Sequence, residues 1–151
     1  MPDQYLYSVG CLVRKENQVL LVRHTYGGAA GKLLIPGGFC NQNELPEEAA
    51  EREVLEETGV TAKAGRLLGL RCHRSNWYLL LELTYITGTP ASDGNENSEA
   101  LFCDIHEALS REDCTDMTKY LLRKVLASPE NCLDWSRDYR AQRGEDYALY
   151  L

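Results

Sequence analysis

Glu53, Glu56 and Glu57 stand three and four residues apart in a segment that reads as a helix, Pro46 to Thr58. Residues so spaced are neighbours on one helix face. Three carboxylates packed together repel one another unless a cation sits among them. Oxygen-only ligands select a hard ion such as Mg²⁺ or Mn²⁺. Mg²⁺ keeps several waters and is usually completed by substrate phosphates, so an acidic protein can hold a polyanion through it. The competing reading is a solvated helix face. Such faces interleave both signs of charge, whereas Glu44 to Glu57 carries seven glutamates and one arginine, Arg52. Nearly all of the net charge of −7 lies there. Arg52 is placed to pair with a neighbouring carboxylate and fix its rotamer.

Residues 38–60 read Gly38-x5-Glu44-x7-Arg52-Glu53-Val54-x-Glu56-Glu57-x-Gly59-Val60. This resembles the signature of the Nudix (MutT-like) hydrolases at every fixed position. The resemblance implies hydrolysis of a pyrophosphate linkage in a nucleoside diphosphate joined to another moiety, with water attacking phosphorus. It implies Mg²⁺ (or Mn²⁺) as cofactor, and Glu53, Glu56 and Glu57 as metal ligands, one of which assists the water. Glu44 becomes an accessory ligand or orienting carboxylate and Arg52 an orienting residue. Gly38 has two readings, a turn needing positive φ and a backbone close enough to the metal for a carbonyl to ligate. A further base or ligand is expected from a later loop. Glu96 and Glu99 are the candidates, and Glu99, just before an apolar strand, is preferred.

Substrate selection is weakly encoded. Arg23 ends a buried strand and is a candidate phosphate contact, with Lys32, Arg71 and Arg74 as other basic candidates. Tyr26, Trp77 and Tyr78 are candidates to stack on a base. The proline that often follows the signature in ADP-ribose hydrolases is missing around Arg74-Ser75-Asn76. Tyr78, eighteen residues after Val60, matches weakly the tyrosine of dinucleoside polyphosphate hydrolases. The substrate is expected to be a nucleotide sugar, ADP-ribose, a dinucleoside polyphosphate or a nucleoside triphosphate. Two rivals stand beside this: a catalytically idle module that senses a nucleotide, and a pyrophosphatase that sanitises the nucleotide pool.

The elements that must position these groups are a mixed set. Strands are predicted at Tyr5 to Arg14, Val19 to Val22 and Leu33 to Ile35, the last stopped by Pro36-Gly37-Gly38. Thr25 to Lys32 reads as a loop. Pro46 suits the first helical turn and Gly59 the left-handed C-terminal cap. Leu45 is a poor N-cap, so local order there must come from the preceding loop or a metal. Strands at Ala64 to His73 and Trp77 to Thr87 form a hairpin through Arg74-Ser75-Asn76. Thr89 to Ser98 reads as a mobile loop, Ala100 to Ile105 as a strand and Thr115 to Ala127 as an amphipathic helix. The expected class is α/β, with a mixed β-sheet sandwiched between α-helices.

The 151 residues suit one domain. The tail, 129–151, holds Trp135, Tyr139, Tyr147 and Tyr150 and is read as packed on the domain or used in a homodimer contact. A chain 44% apolar can bury a substantial core. The negative charge argues against a nucleic acid polymer as partner. No apolar run is long enough for a membrane span and no signal peptide is visible, so a cytoplasmic enzyme acting on a small nucleotide is expected. The six cysteines form no CxxC pair and read as free thiols. Cys72-His73 with Cys103-x2-His106 matches none of the usual zinc spacings.

Overall fold

A computed structural model of the chain describes residues 5–127, 137–144 and 147–151. Its elements in order are β1 (Leu6–Lys15), β2 (Gln18–His24), β3 (Leu33–Leu34), β4 (Gly37–Phe39), α1 (Pro46–Thr58), β5 (Thr61–His73), β6 (Asn76–Thr87), β7 (Asn97–Asp104), α2 (Ile105–Ser110), α3 (Asp116–Ala127), α4 (Arg137–Arg143) and β8 (Tyr147–Tyr150). One turn of 3-10 helix, Gly27–Ala29, lies in the expected loop after β2. The main sheet runs β3-β2-β1-β6-β5-β8, with β4 on β1 and β7 on β2. β1 and β6 are parallel and the other pairs antiparallel.

Successive residues of a strand face opposite sides. In β1 this sends Val9, Cys11 and Val13 to one face and Leu12 to the other, all fully buried. The first set meets Ala50 and Val54 of α1. Leu12 joins Leu80, Leu121 and Leu122 under α3. The sheet is therefore covered on both sides, as the sequence predicts. Tyr139 of α4 and Leu149 of β8 are buried in the second core, and β8 pairs with β5. Trp135 lies outside the described residues.

α1 begins and ends where its sequence predicts. Its weak cap is supported by Glu48, whose carboxylate accepts from the Leu45 N–H at 3.0 Å. Gly59 ends it at φ 72°, in the left-handed region. Three expectations need correction. Gly37 and Gly38 do more than stop a strand: with Phe39 they form β4, paired as Ser8↔Phe39, Val9↔Gly38 and Gly10↔Gly37. A Cβ on Gly37 would run into the Val9 carbonyl, so only glycine lets β4 lie this close. β7 starts at Asn97, inside the segment expected to be loop. It ends at Asp104, because that side chain caps α2 by accepting from the His106 and Glu107 N–H groups at 2.9 and 3.2 Å.

Candidate functional site

α1 lays its charged face across the end of β4. Glu53 and Glu57 turn inward and are 8% and 3% exposed, while Glu56 points to solvent. Gly38 lies against the Glu53 carboxylate, and a Cβ there would collide with it. Glu57 Oε2 accepts from the Gly37 N–H at 3.4 Å. Its Oε1 is buried without a hydrogen-bond partner. Burial, with Glu53 beside it, pushes the Glu57 carboxyl up to about 8, against the opposing Gly37 contact. Burial also raises Glu53, and Arg52 opposes that rise.

Arg52 is the hub. Its Nε and Nη2 donate to the two oxygens of Glu44 at 2.7 and 2.9 Å, a bidentate pair. Its Nη1 donates to Glu53 at 2.8 Å and Glu56 at 3.1 Å. Nη2 also reaches the Phe39 carbonyl at 3.0 Å. Glu44 further accepts from the Asn41 N–H at 2.7 Å, and Arg52 holds its carboxyl below the usual range. Glu44 thus faces Arg52 and ties the 39–45 loop to α1. With Arg52 holding Glu53 and Glu56, no three acidic, imidazole or thiol groups among the described residues converge as a ready metal cage.

A cavity of about 600 Å³ lies over Glu53, Glu56 and Glu57, floored by Gly37 and Gly38. Its far wall is the segment before β7, with Glu96, Asp93 and Asn95. Asp93 Oδ1 accepts from the N–H groups of Asn95, Glu96 and Asn97 at 2.9, 3.0 and 3.1 Å. Asn97 is buried and donates from Nδ2 to the Glu57 carbonyl at 2.9 Å. The Glu96 carbonyl accepts from the Thr25 N–H at 3.1 Å. The segment expected to be mobile is therefore pinned to the end of α1.

Of the two loop candidates, Glu96 lines the acidic cavity. Glu99 sits on β7 opposite Arg23 and pairs with it at 2.9 Å, which turns its carboxylate away. Arg23 also donates to Asp113 at 3.0 Å and the Gly31 carbonyl at 2.8 Å, so its guanidinium is engaged within the fold. Lys32 is exposed and does not line the acidic cavity. Tyr78 packs over Gly10 with the Arg71 guanidinium 4.5 Å from its ring centroid, and belongs to the core on the face away from α1. Tyr26, by contrast, lines the acidic cavity, and Trp77 lines an apolar pocket next to it. Asp93, Asn97 and Phe39 were not singled out by sequence. The Asp93-Gly94-Asn95 turn signature was the available clue to the first two.

The residues fit a hard divalent cation. The donors are all oxygen, Glu57 holds a buried unpartnered oxygen, and Gly38, lacking a side chain, lets the Glu53 carboxylate lie against the backbone.

Comparison with known proteins identifies the family. The NUDIX domain family model matches residues 4–124. An ADP-ribose pyrophosphatase of Methanocaldococcus jannaschii is 31% identical over 104 residues, covering 66% of this chain and 62% of that protein. The human diphosphoinositol polyphosphate phosphohydrolase 3-beta is 38% identical over 88 residues, covering 52% of each. The chain thus spans between half and about two thirds of the length of these two relatives. The crystal structure of a NUDIX-family hydrolase from Clostridium perfringens superposes with a TM-score of 0.71 at 18% identity, covering 84% of this chain and 99% of that one. Fold, signature geometry and family match together establish that the chain belongs to the Nudix family.

Proposed function

We propose that the chain is a divalent-cation-dependent pyrophosphohydrolase acting on a nucleoside diphosphate derivative. The observation that carries this reading is Glu57, which holds a buried, unpartnered oxygen and lines one cavity with Glu53, Glu56, Glu96 and Gly38. Glu53, Glu57 and the Gly38 carbonyl would hold the cation, with Glu56 turning from Arg52 to join them. Bound Mg²⁺ or Mn²⁺ supplies charge neutralisation at the diphosphate and acidifies water. Glu96, clamped by Asp93 across the cavity, accepts the proton of the attacking water at its carboxylate. Arg52 and Glu44 hold the 39–45 loop so that Gly38 stays against Glu53.

The two curated relatives point to different substrates, one by name to ADP-ribose and one to a diphosphoinositol polyphosphate. A body dense in phosphates needs a cluster of Lys and Arg. None lines either described cavity, and Arg23 is held by Glu99 and Asp113. This favours a substrate with one diphosphate and a neutral body. The five described cysteines are free, which fits a reducing compartment, and we place the reaction in the cytoplasm. Among the described residues no helix is long and apolar enough to cross a membrane.

The test follows product formation by chromatography, with Mg²⁺ and with Mn²⁺: a nucleoside monophosphate with its sugar phosphate, nucleotide or pyrophosphate partner from ADP-ribose, nucleotide sugars, dinucleoside polyphosphates and nucleoside triphosphates, and inorganic phosphate from a diphosphoinositol polyphosphate. A preferred nucleoside diphosphate derivative is expected. Turnover of the diphosphoinositol compound alone, or of nothing, rejects the proposal. Within the reaction, Glu96→Gln is expected to lower kcat by about a hundredfold, the usual worth of a general base. Glu99→Gln should lower it less than about threefold, because that residue only pairs with a partly exposed arginine. The reverse ranking in steady-state kinetics would move the base to β7.

A further inference from the structure

A second cavity, of about 830 Å³, opens beside the acidic one on the same side of the sheet as α1. The two share Phe39 and Asn41. Its apolar wall comes from Tyr5, Tyr7, Phe39, Leu67, Trp77 and Leu79. Phe39 and Trp77 are 59% and 43% exposed, a large aromatic surface left in water. Tyr7 and Trp77 are register partners on β1 and β6, with rings edge to face at 6.4 Å between centroids. Among the described residues Glu44 is the one charged residue in the lining, and Arg52 holds its carboxylate.

We infer that this groove is the seat of the aromatic base of the nucleotide substrate. The inference rests on the acidic cavity holding the diphosphate. Size, shape and charge all select this occupant. Small-molecule sites usually measure about 300–1,000 Å³ and are mostly apolar with a few polar groups. Flat rings stack on Trp and Tyr, and every base has a π face. A wall without Lys or Arg among its described residues does not select a polyanion. Asn41, Gln42 and Asn43 lie at the groove, and amides both donate to and accept from a base edge. Continuity through Phe39 and Asn41 lets one molecule reach both cavities, which a separate docked protein would not need. On this reading Tyr7, Phe39 and Trp77 set substrate choice, and Tyr78, the more conspicuous aromatic in the sequence, does not.

The experiment measures binding by calorimetry in Mg²⁺. The probes are the α,β-methylene diphosphates of adenosine, guanosine, cytidine and uridine, and methylenediphosphonate, which has no base. At least one nucleoside analogue is expected to bind more than about tenfold tighter than methylenediphosphonate, the usual worth of a base stack. Trp77→Ala should remove about tenfold from that affinity and leave methylenediphosphonate within about twofold, and Trp77→Phe should restore most of the loss. Leu67→Asp, on a half-exposed wall position, should weaken the same analogue without lowering the thermal midpoint. Nucleoside analogues no tighter than methylenediphosphonate overturn the groove assignment. So does an unchanged nucleoside affinity in Trp77→Ala. If sedimentation then shows a wild-type dimer that this variant dissolves, the face is a contact between copies. Failure of the parent reading looks different: methylenediphosphonate does not bind and no nucleotide is hydrolysed. Hydrolysis that persists with unchanged KM in Trp77→Ala defeats the groove alone.

Discussion

Glu57→Gln is expected to lower kcat/KM by about a thousandfold, roughly 4 kcal/mol of transition-state stabilisation. The unliganded protein should be at least as stable as wild type. The two effects have opposite signs for one reason. Glu57 is 3% exposed, has one unpartnered oxygen and lies beside the buried charge of Glu53. Burying such a charge costs free energy. Glutamine has the same shape, keeps an acceptor for the Gly37 N–H and removes the repulsion, a gain of about 1 kcal/mol. It also removes the anionic oxygen that the cation needs. Thermal melts with and without Mg²⁺ separate these. Wild type should gain stability from Mg²⁺ by mass action, and the variant should not. A variant less stable than wild type in the absence of metal would mean that Glu57 serves the fold. Full turnover would remove it from the site.

The sequence places this residue well in one sense and poorly in another. Helical spacing puts Glu53, Glu56 and Glu57 together, and α1 runs from Pro46 to Thr58 as its caps predict. Spacing alone suggests one solvent rim. In the structure Glu56 remains outside while Glu53 and Glu57 are drawn in, because β4 approaches closely enough to cover them. That approach depends on Gly37 and Gly38 lacking side chains, and a three-residue strand leaves no periodic signal. The difference between Glu96 and Glu99 is also tertiary. Strand parity does not reveal that Arg23 lies opposite Glu99, since the β2–β7 pairing joins residues far apart in sequence. Tyr78 and Trp77 make the same point from one strand. Alternation sends adjacent aromatics to opposite faces, and only the packing of α1 and α3 tells which face carries the site. The strand of Val9, Cys11 and Val13 and the hairpin of β5 and β6 about Arg74-Ser75-Asn76 were legible because their signals are local.

Arg52→Gln tests how far the site is built as a unit. The guanidinium satisfies Glu44, Glu53, Glu56 and the Phe39 carbonyl at once, from 25% exposure. A shorter neutral amide reaches at most one or two of them. Glu44 and Glu53, with side chains 13% and 11% exposed, are then left as poorly compensated charges. Removing one partner of a fully buried pair costs roughly 3–5 kcal/mol. Partial solvent access here reduces that to about 2 kcal/mol. For a domain of this size the melting midpoint should fall by roughly 4–8 °C. The variant also frees Glu53 and Glu56 from competition, so added Mg²⁺ should recover part of the lost midpoint. Activity should not follow that recovery. Without the bidentate hold on Glu44 and the contact at Phe39, the loop carrying Gly38 loses its fixed approach to Glu53, and kcat should stay down by about a hundredfold. Arg52→Lys should rescue little, because a single ammonium cannot span the two oxygens of Glu44 while reaching the Phe39 carbonyl. If Arg52→Gln melts with wild type and Mg²⁺ restores full kcat, Arg52 is only a counter-charge. A cold-stable fold with a lasting loss of kcat identifies it as the residue that positions the loop against the carboxylates.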